Sequence, residues 1–169
     1  RDDVESRGLG DVYKRQPRGS AHQGLQEYQA PVEYGRSEII RKGKKIAVLG
    51  VGSMIPSCME ICKGLKDDGY DPTFVNARFV KPLDVDLLDE LAKDHSLFVT
   101  VEENVKSGGY GEHVSAYMEA CHPEIRVLSA AVWDRFVPQG NVESLRSRIG
   151  LGVEDIRQAI EDSEELREQ

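Results

Sequence analysis

The sequence is short of the residues that mark the more specialised classes of protein. Only three of its 169 residues are cysteine, an odd number and too few for a disulfide framework. Cys58 and Cys62 stand four apart, and neither belongs to the tighter, doubled pairs of a zinc site. They read as small core residues on one helical face. No apolar run approaches the roughly 18 residues needed to span a bilayer. The first ten residues, "RDDVESRGLG", lack the apolar segment of a signal peptide. Positive charge is not in excess either. The net charge is −8, which leaves no basic footprint for nucleic acid. The motifs G-x-S-x-G and H-E-x-x-H are missing. Repeats and low-complexity blocks are missing too. These absences predict a reduced, cytoplasmic protein of one domain, or at most two small ones, with no nucleic-acid or membrane partner.

What is present is a regular alternation of strand and helix patterns. Val32–Ile40 reads as a mixed strand, and "RKGKK" as a turn with Gly43 in the left-handed region. "IAVLG" (Ile46–Gly50) is wholly apolar, as in a strand covered on both faces. The short link between these two strands predicts an antiparallel pair. Ile55, Cys58, Met59, Cys62 and Leu65 recur at helical spacing, with Pro56 in the first turn. Thr73–Val80 is the next strand, and Asp84 is placed to cap the helix after it. "LFVTV" (Leu97–Val101) is a third buried strand. Val114, Tyr117, Met118 and Cys121 share a helix face, and Ile125–Ser129 is the last strand. Two helices close the chain, one capped by Asn141, the other charged and expected to fray into solvent. The pattern predicts an α/β fold, a three-layer α/β/α sandwich around a mixed, mostly parallel sheet of about five strands.

The first sixteen residues stand apart. They carry four positive and four negative side chains and no apolar periodicity. "DVYKRQ" (Asp11–Gln16) back-translates to GAT GTG TAT AAG AGA CAG, which resembles the end of a transposon-based sequencing-library adapter. Residues 1–16 are therefore expected to be adapter-derived, and the chain to be a C-terminal fragment. Residues 17–30 are expected to end a preceding domain and form a linker. Residues 31–160 would be the domain itself, and 161–169 a charged tail.

Candidate chemistry is sparse. "LGVGS" (Leu49–Ser53) lacks the third glycine of a dinucleotide fingerprint, since Ile55 stands in its place. A tight strand-to-helix turn accounts for both glycines. His22, His95, His113 and His122 have no partners at metal-ligand spacing. Surface or capping roles are expected for them. Glu102 and Glu103 end a strand ahead of a glycine-rich loop, where ligands of open α/β sheets collect. Adjacent strand side chains diverge, however. One carboxylate is expected to accept hydrogen bonds from loop amides, and the other to face a neighbouring domain. The chain has no self-sufficient active site on this reading.

Five motifs in order carry a resemblance: "PRG" (Pro17–Gly19), "RFVKPLD" (Arg78–Asp84), "VTVEEN" (Val99–Asn104), "GGYG" (Gly108–Gly111) and "WDRFVPQG" (Trp133–Gly140). Together they resemble the C-terminal end of the 1-deoxy-D-xylulose-5-phosphate synthases, within the transketolase-like thiamine diphosphate enzymes. The resemblance implies a homodimeric transferase that condenses pyruvate with glyceraldehyde 3-phosphate, with loss of carbon dioxide. It implies thiamine diphosphate and magnesium (Mg2+) bound by upstream domains, with none bound by this chain. It places no catalytic, cofactor-binding or metal-binding residue in the chain. The one site residue it implies is Arg18, as a clamp for the substrate phosphate. Two alternatives stay open: the C-terminal part of another thiamine diphosphate enzyme, such as transketolase or a 2-oxo acid dehydrogenase E1 β chain, and a non-catalytic docking module.

Overall fold

The computed structural model describes Tyr28 and residues 30–163. The expected adapter-derived segment 1–16, Arg18, His22 and the end of the charged tail lie outside the described residues. Five strands form one sheet: β1 (Glu38–Arg41), β2 (Lys45–Gly50), β3 (Thr73–Asn76), β4 (His95–Val105) and β5 (Arg126–Val132). Their order is β1-β3-β2-β4-β5. β2 pairs parallel to β3 and β4, β4 parallel to β5, and β1 antiparallel to β3. Five helices surround the sheet: α1 (Ile55–Asp67), α2 (Val85–Leu91), α3 (Tyr110–Cys121), α4 (Val142–Arg148) and α5 (Val153–Glu161). The expected mixed, mostly parallel α/β architecture is what is found.

The period-two alternation of the strands sorts the core into two layers. Ile46, Val48, Phe74, Leu97, Val99 and Val101 face one way and pack with Ile55, Ile61 and Leu65 of α1 and Ile156 and Ile160 of α5. Ala47, Leu49, Val75 and Phe98 face the other way, against Leu88 and Leu91 of α2 and Val114 and Met118 of α3. Cys58 and Cys62 are buried in the first layer. Burial pushes both thiols up, Cys62 to about 12, so both are inert apolar filling.

Three local expectations need correction. The first strand begins at Glu38, because Glu33–Arg36 form a turn with Gly35 at φ +73°. β1 does not form a hairpin with β2, since β3 lies between them. Three residues reach about 10 Å, enough to step over one intervening strand at roughly 4.8 Å spacing. The link is fastened to β3's approach: the Lys44 amide donates to Asp71 O, and the Gly43 amide donates to Thr73 Oγ1 at 2.8 Å. Gly43 is needed for closeness, as a Cβ there would overlap the Asp71 carbonyl. The left-handed residue is Lys45, at φ +67°.

His95, expected in a surface or capping role, takes the capping one at the end of α2. It is buried and closes a polar chain. Nδ1 donates to Leu91 O at 2.8 Å, which leaves Nε2 to accept from Thr73 Oγ1 at 2.7 Å. Burial lowers its pKa below the ordinary histidine range, with the Leu91 bond and Asp94 opposing.

Candidate functional site

β2, β3, β4 and β5 all end at the same rim of the sheet, so loops and helix N-termini gather there. Because β1 runs the other way, the segment before Glu38 also meets this carboxyl rim. At the end of β4 the two adjacent glutamates part company. Glu102 follows Phe98 and Thr100 toward α3, while Glu103 follows Val99 and Val101 toward α1.

Glu102 is only 1% exposed. Its Oε2 accepts from the Tyr110 amide at 2.9 Å and its Oε1 from the Gly111 amide at 2.8 Å. These amides belong to the first turn of α3, which lacks intrahelical acceptors. The helix has no capping side chain of its own. Glu102 supplies that function from the neighbouring strand, with its negative charge at the positive end of the helix dipole. This explains the glycines of "GGYG". Gly108 turns the loop at φ +75°. A Cβ on Gly109 would sit 2.6 Å from Glu102 Oε1, and one on Gly111 would overlap Ser129 Oγ. The glycines let the helix reach the carboxylate and the sheet.

Glu103, on the opposite face, has partners of its own within the chain. Arg146 of α4 grips it with Nε to Oε1 at 3.1 Å and Nη2 to Oε2 at 2.9 Å. Ser53 Oγ donates to Oε2 at 2.6 Å. The Arg146 fork holds the Glu103 carboxyl below the usual carboxylate range, against an opposing push from partial burial. Each carboxylate is held by its own partners, and the two do not converge on one point. No sequence signal points from Glu103 to Arg146, which lies 43 residues away.

The remaining candidates are dispersed. His113 Nδ1 donates to Gly109 O at 2.8 Å within the first turn of α3, and His122 Nε2 lies 2.8 Å from Asp89 Oδ1. Asp84 caps α2 as expected, accepting from Leu87 N. Among the described residues no group of three or more His, Cys, Asp or Glu is placed to hold a metal ion. No helix among them is long and apolar enough to cross a membrane. The β2–α1 turn is no phosphate cradle. A Cβ on Gly50 would meet Cys58 Sγ and Ile55 Cδ1, both at 2.8 Å, so this glycine serves helix-on-strand packing. No chemical step is assigned to the described residues.

The rim is instead notable for apolar exposure. Nine large hydrophobic side chains are exposed among the described residues: Val32, Tyr34, Val80, Val85, Val105, Trp133, Phe136, Val137 and Val142. Every one lies on a segment reaching or leaving the carboxyl rim. Phe136 is fully exposed and Trp133 is 56% exposed. The Lys106 ammonium lies 4.8 Å from the Trp133 ring centroid.

Comparison with known proteins agrees with this layout. The chain is 38% identical over 148 residues to a 1-deoxy-D-xylulose-5-phosphate synthase of Lachnoclostridium phytofermentans, covering 87% of this chain and 24% of that protein. It is 39% identical to the synthase of Dictyoglomus thermophilum, covering 81% and 22% respectively. The chain thus spans about a quarter of the length of these curated relatives. Among solved structures, a split-gene transketolase described as an inactive β4 tetramer superposes with a TM-score of 0.75 at 28% identity, over 81% of this chain and 45% of that one. The family model for the transketolase C-terminal domain matches residues 35–156. By its sequence and its fold, this chain belongs to the transketolase C-terminal domain family.

Proposed function

We propose that the chain is the C-terminal part of a 1-deoxy-D-xylulose-5-phosphate synthase. In this reading the whole enzyme is a cytoplasmic thiamine diphosphate-dependent transferase that condenses pyruvate with glyceraldehyde 3-phosphate and releases carbon dioxide. Preceding domains hold the thiamine diphosphate and its magnesium. This domain supplies no reacting group and supports their assembly and the contact with a homodimer partner. The observation that carries the reading is the carboxyl rim. Its apolar side chains, absent from the other surfaces described, are what a domain presents to neighbours that cover it. Similarity to synthases, over a quarter of their length, supports the same view. Transketolase and the dehydrogenase β chains, and a free-standing docking module, are not favoured.

Arg18 supplies the direct test. A guanidinium matches a phosphate with paired, charge-assisted hydrogen bonds. In the full-length enzyme, Arg18→Ala is expected to raise KM for the phosphorylated aldehyde about tenfold or more, while KM for pyruvate changes little. Steady-state kinetics with each substrate varied in turn checks this. Equal effects on both substrates remove the assignment, and absence of turnover by the unsubstituted full-length protein removes the reading.

A further inference from the structure

Arg78 sits in an unusual place. Its backbone is left-handed at φ +55°, a conformation strained for a non-glycine residue. Its amide is held there by Asn76 Oδ1 at 3.2 Å. The side chain does not join either core layer. It spans to the segment ahead of β1, where Nη1 donates to Pro31 O and Nη2 to Ala30 O, both at 3.1 Å. Nη2 also donates to Glu38 Oε2 at 2.6 Å. The second oxygen of Glu38 accepts from the Ala30 amide at 3.4 Å. Ala30 is thus held at both its N–H and its C=O by one ion pair. The Arg78 and Glu38 side chains are only 13% and 11% exposed, so the pair is shielded from the screening that weakens surface ion pairs.

The segment held in this way contributes little to the core. Val32 and Tyr34 are largely exposed, and their neighbours lie outside the sheet. A largely shielded ion pair and a left-handed arginine are therefore committed to a stretch whose own burial does not require them. Observed backbone strain of this kind points to a role beyond packing.

We propose that Arg78 is a positioning residue. It fixes the course of residues 30–37 along the carboxyl rim, and with it the side of the sheet at which a preceding domain joins this one. Fixing that course raises the effective concentration of the preceding part at the apolar surface. The inference rests on the reading that a further domain precedes this one. It goes beyond that reading by naming the residue that joins the two.

The test has two arms. In the present chain, Arg78→Asn keeps a residue tolerant of the left-handed backbone and removes the guanidinium. Amide hydrogen exchange over residues 32–37 is expected to rise about tenfold, with the amides of β2 and β4 unchanged. Arg78→Lys, which keeps the charge without the fork, is expected to fall between. No change over 32–37, or an equal rise throughout the sheet, overturns the proposal. In the full-length protein, small-angle scattering is expected to give a larger radius of gyration for Arg78→Asn than for the unsubstituted protein. An unchanged radius also overturns it. Neither arm depends on turnover, so failure here is distinct from failure of the synthase reading.

Discussion

Glu102, the most buried carboxylate among the described residues, serves a helix terminus that has no capping side chain of its own. Replacing it with glutamine keeps one acceptor but turns an N–H toward an N–H. One buried donor is then left unpaired, at a cost of roughly 2 kcal/mol. Glu102→Gln is expected to lower the urea midpoint without changing the slope. Glu103→Gln, at a partly exposed pair, is expected to cost less than about 1 kcal/mol. Equal costs would show that Glu102 does not anchor α3. Part of this was legible in the sequence. The divergence of neighbouring strand residues separates the two glutamates, and the glycines after them signal a close approach. The partners of Glu103 were not legible, because Ser53 and Arg146 reach it only through tertiary packing.

The last helix shows where local charge misleads. α5 carries Glu154, Asp155, Arg157 and Glu161, and its composition suggests a segment that frays. Yet Ile156 and Ile160, one helical turn apart, are buried against the first core layer. Arg157 lies across Gly64 of α1, where a Cβ would come within 2.8 Å of its side chain. It also pairs with Asp68 at 3.4 Å and Glu161 at 3.3 Å. Two apolar residues at the right spacing outweigh the four charged ones, because the isoleucines leave water while the charges keep solvent or a partner. Ile160→Ala is expected to destabilise the domain by about 3 kcal/mol, measured by guanidinium unfolding. A cost below about 0.5 kcal/mol, as at surface positions, would mean that α5 is only loosely attached. The strand order was also hidden, for a related reason. A three-residue link limits distance but does not dictate pairing, so β3 can lie between its two neighbours in sequence.

The whole molecule has one sparing face and one sticky one. With the carboxyl rim uncovered, the 18.9 kDa chain is expected to self-associate at micromolar concentrations. Sedimentation velocity should then show species heavier than the monomer. The double substitution Trp133→Ser and Phe136→Ser removes two of the three exposed rings on the rim and should shift the distribution toward monomer. A chain that stays monomeric throughout would deny the rim its role in assembly. The layered α/β plan was legible because periodicity reports it directly. The concentration of exposed apolar residues on one rim was not, since that Val32 and Val142 lie at the same end of the sheet is seen only when the strand directions are known.

β1 is only four residues long, yet its direction has a consequence for the architecture. Pointed the other way, the same strand would deliver the backbone to the opposite side of the sheet, roughly 13 Å off. The oily loops would then look out on water while the rest of the polypeptide hung behind them. A single reversed strand acts as a compass needle, turning a generic sandwich so that its adhesive end faces the same way as residues 30–37, the stretch that leads into it.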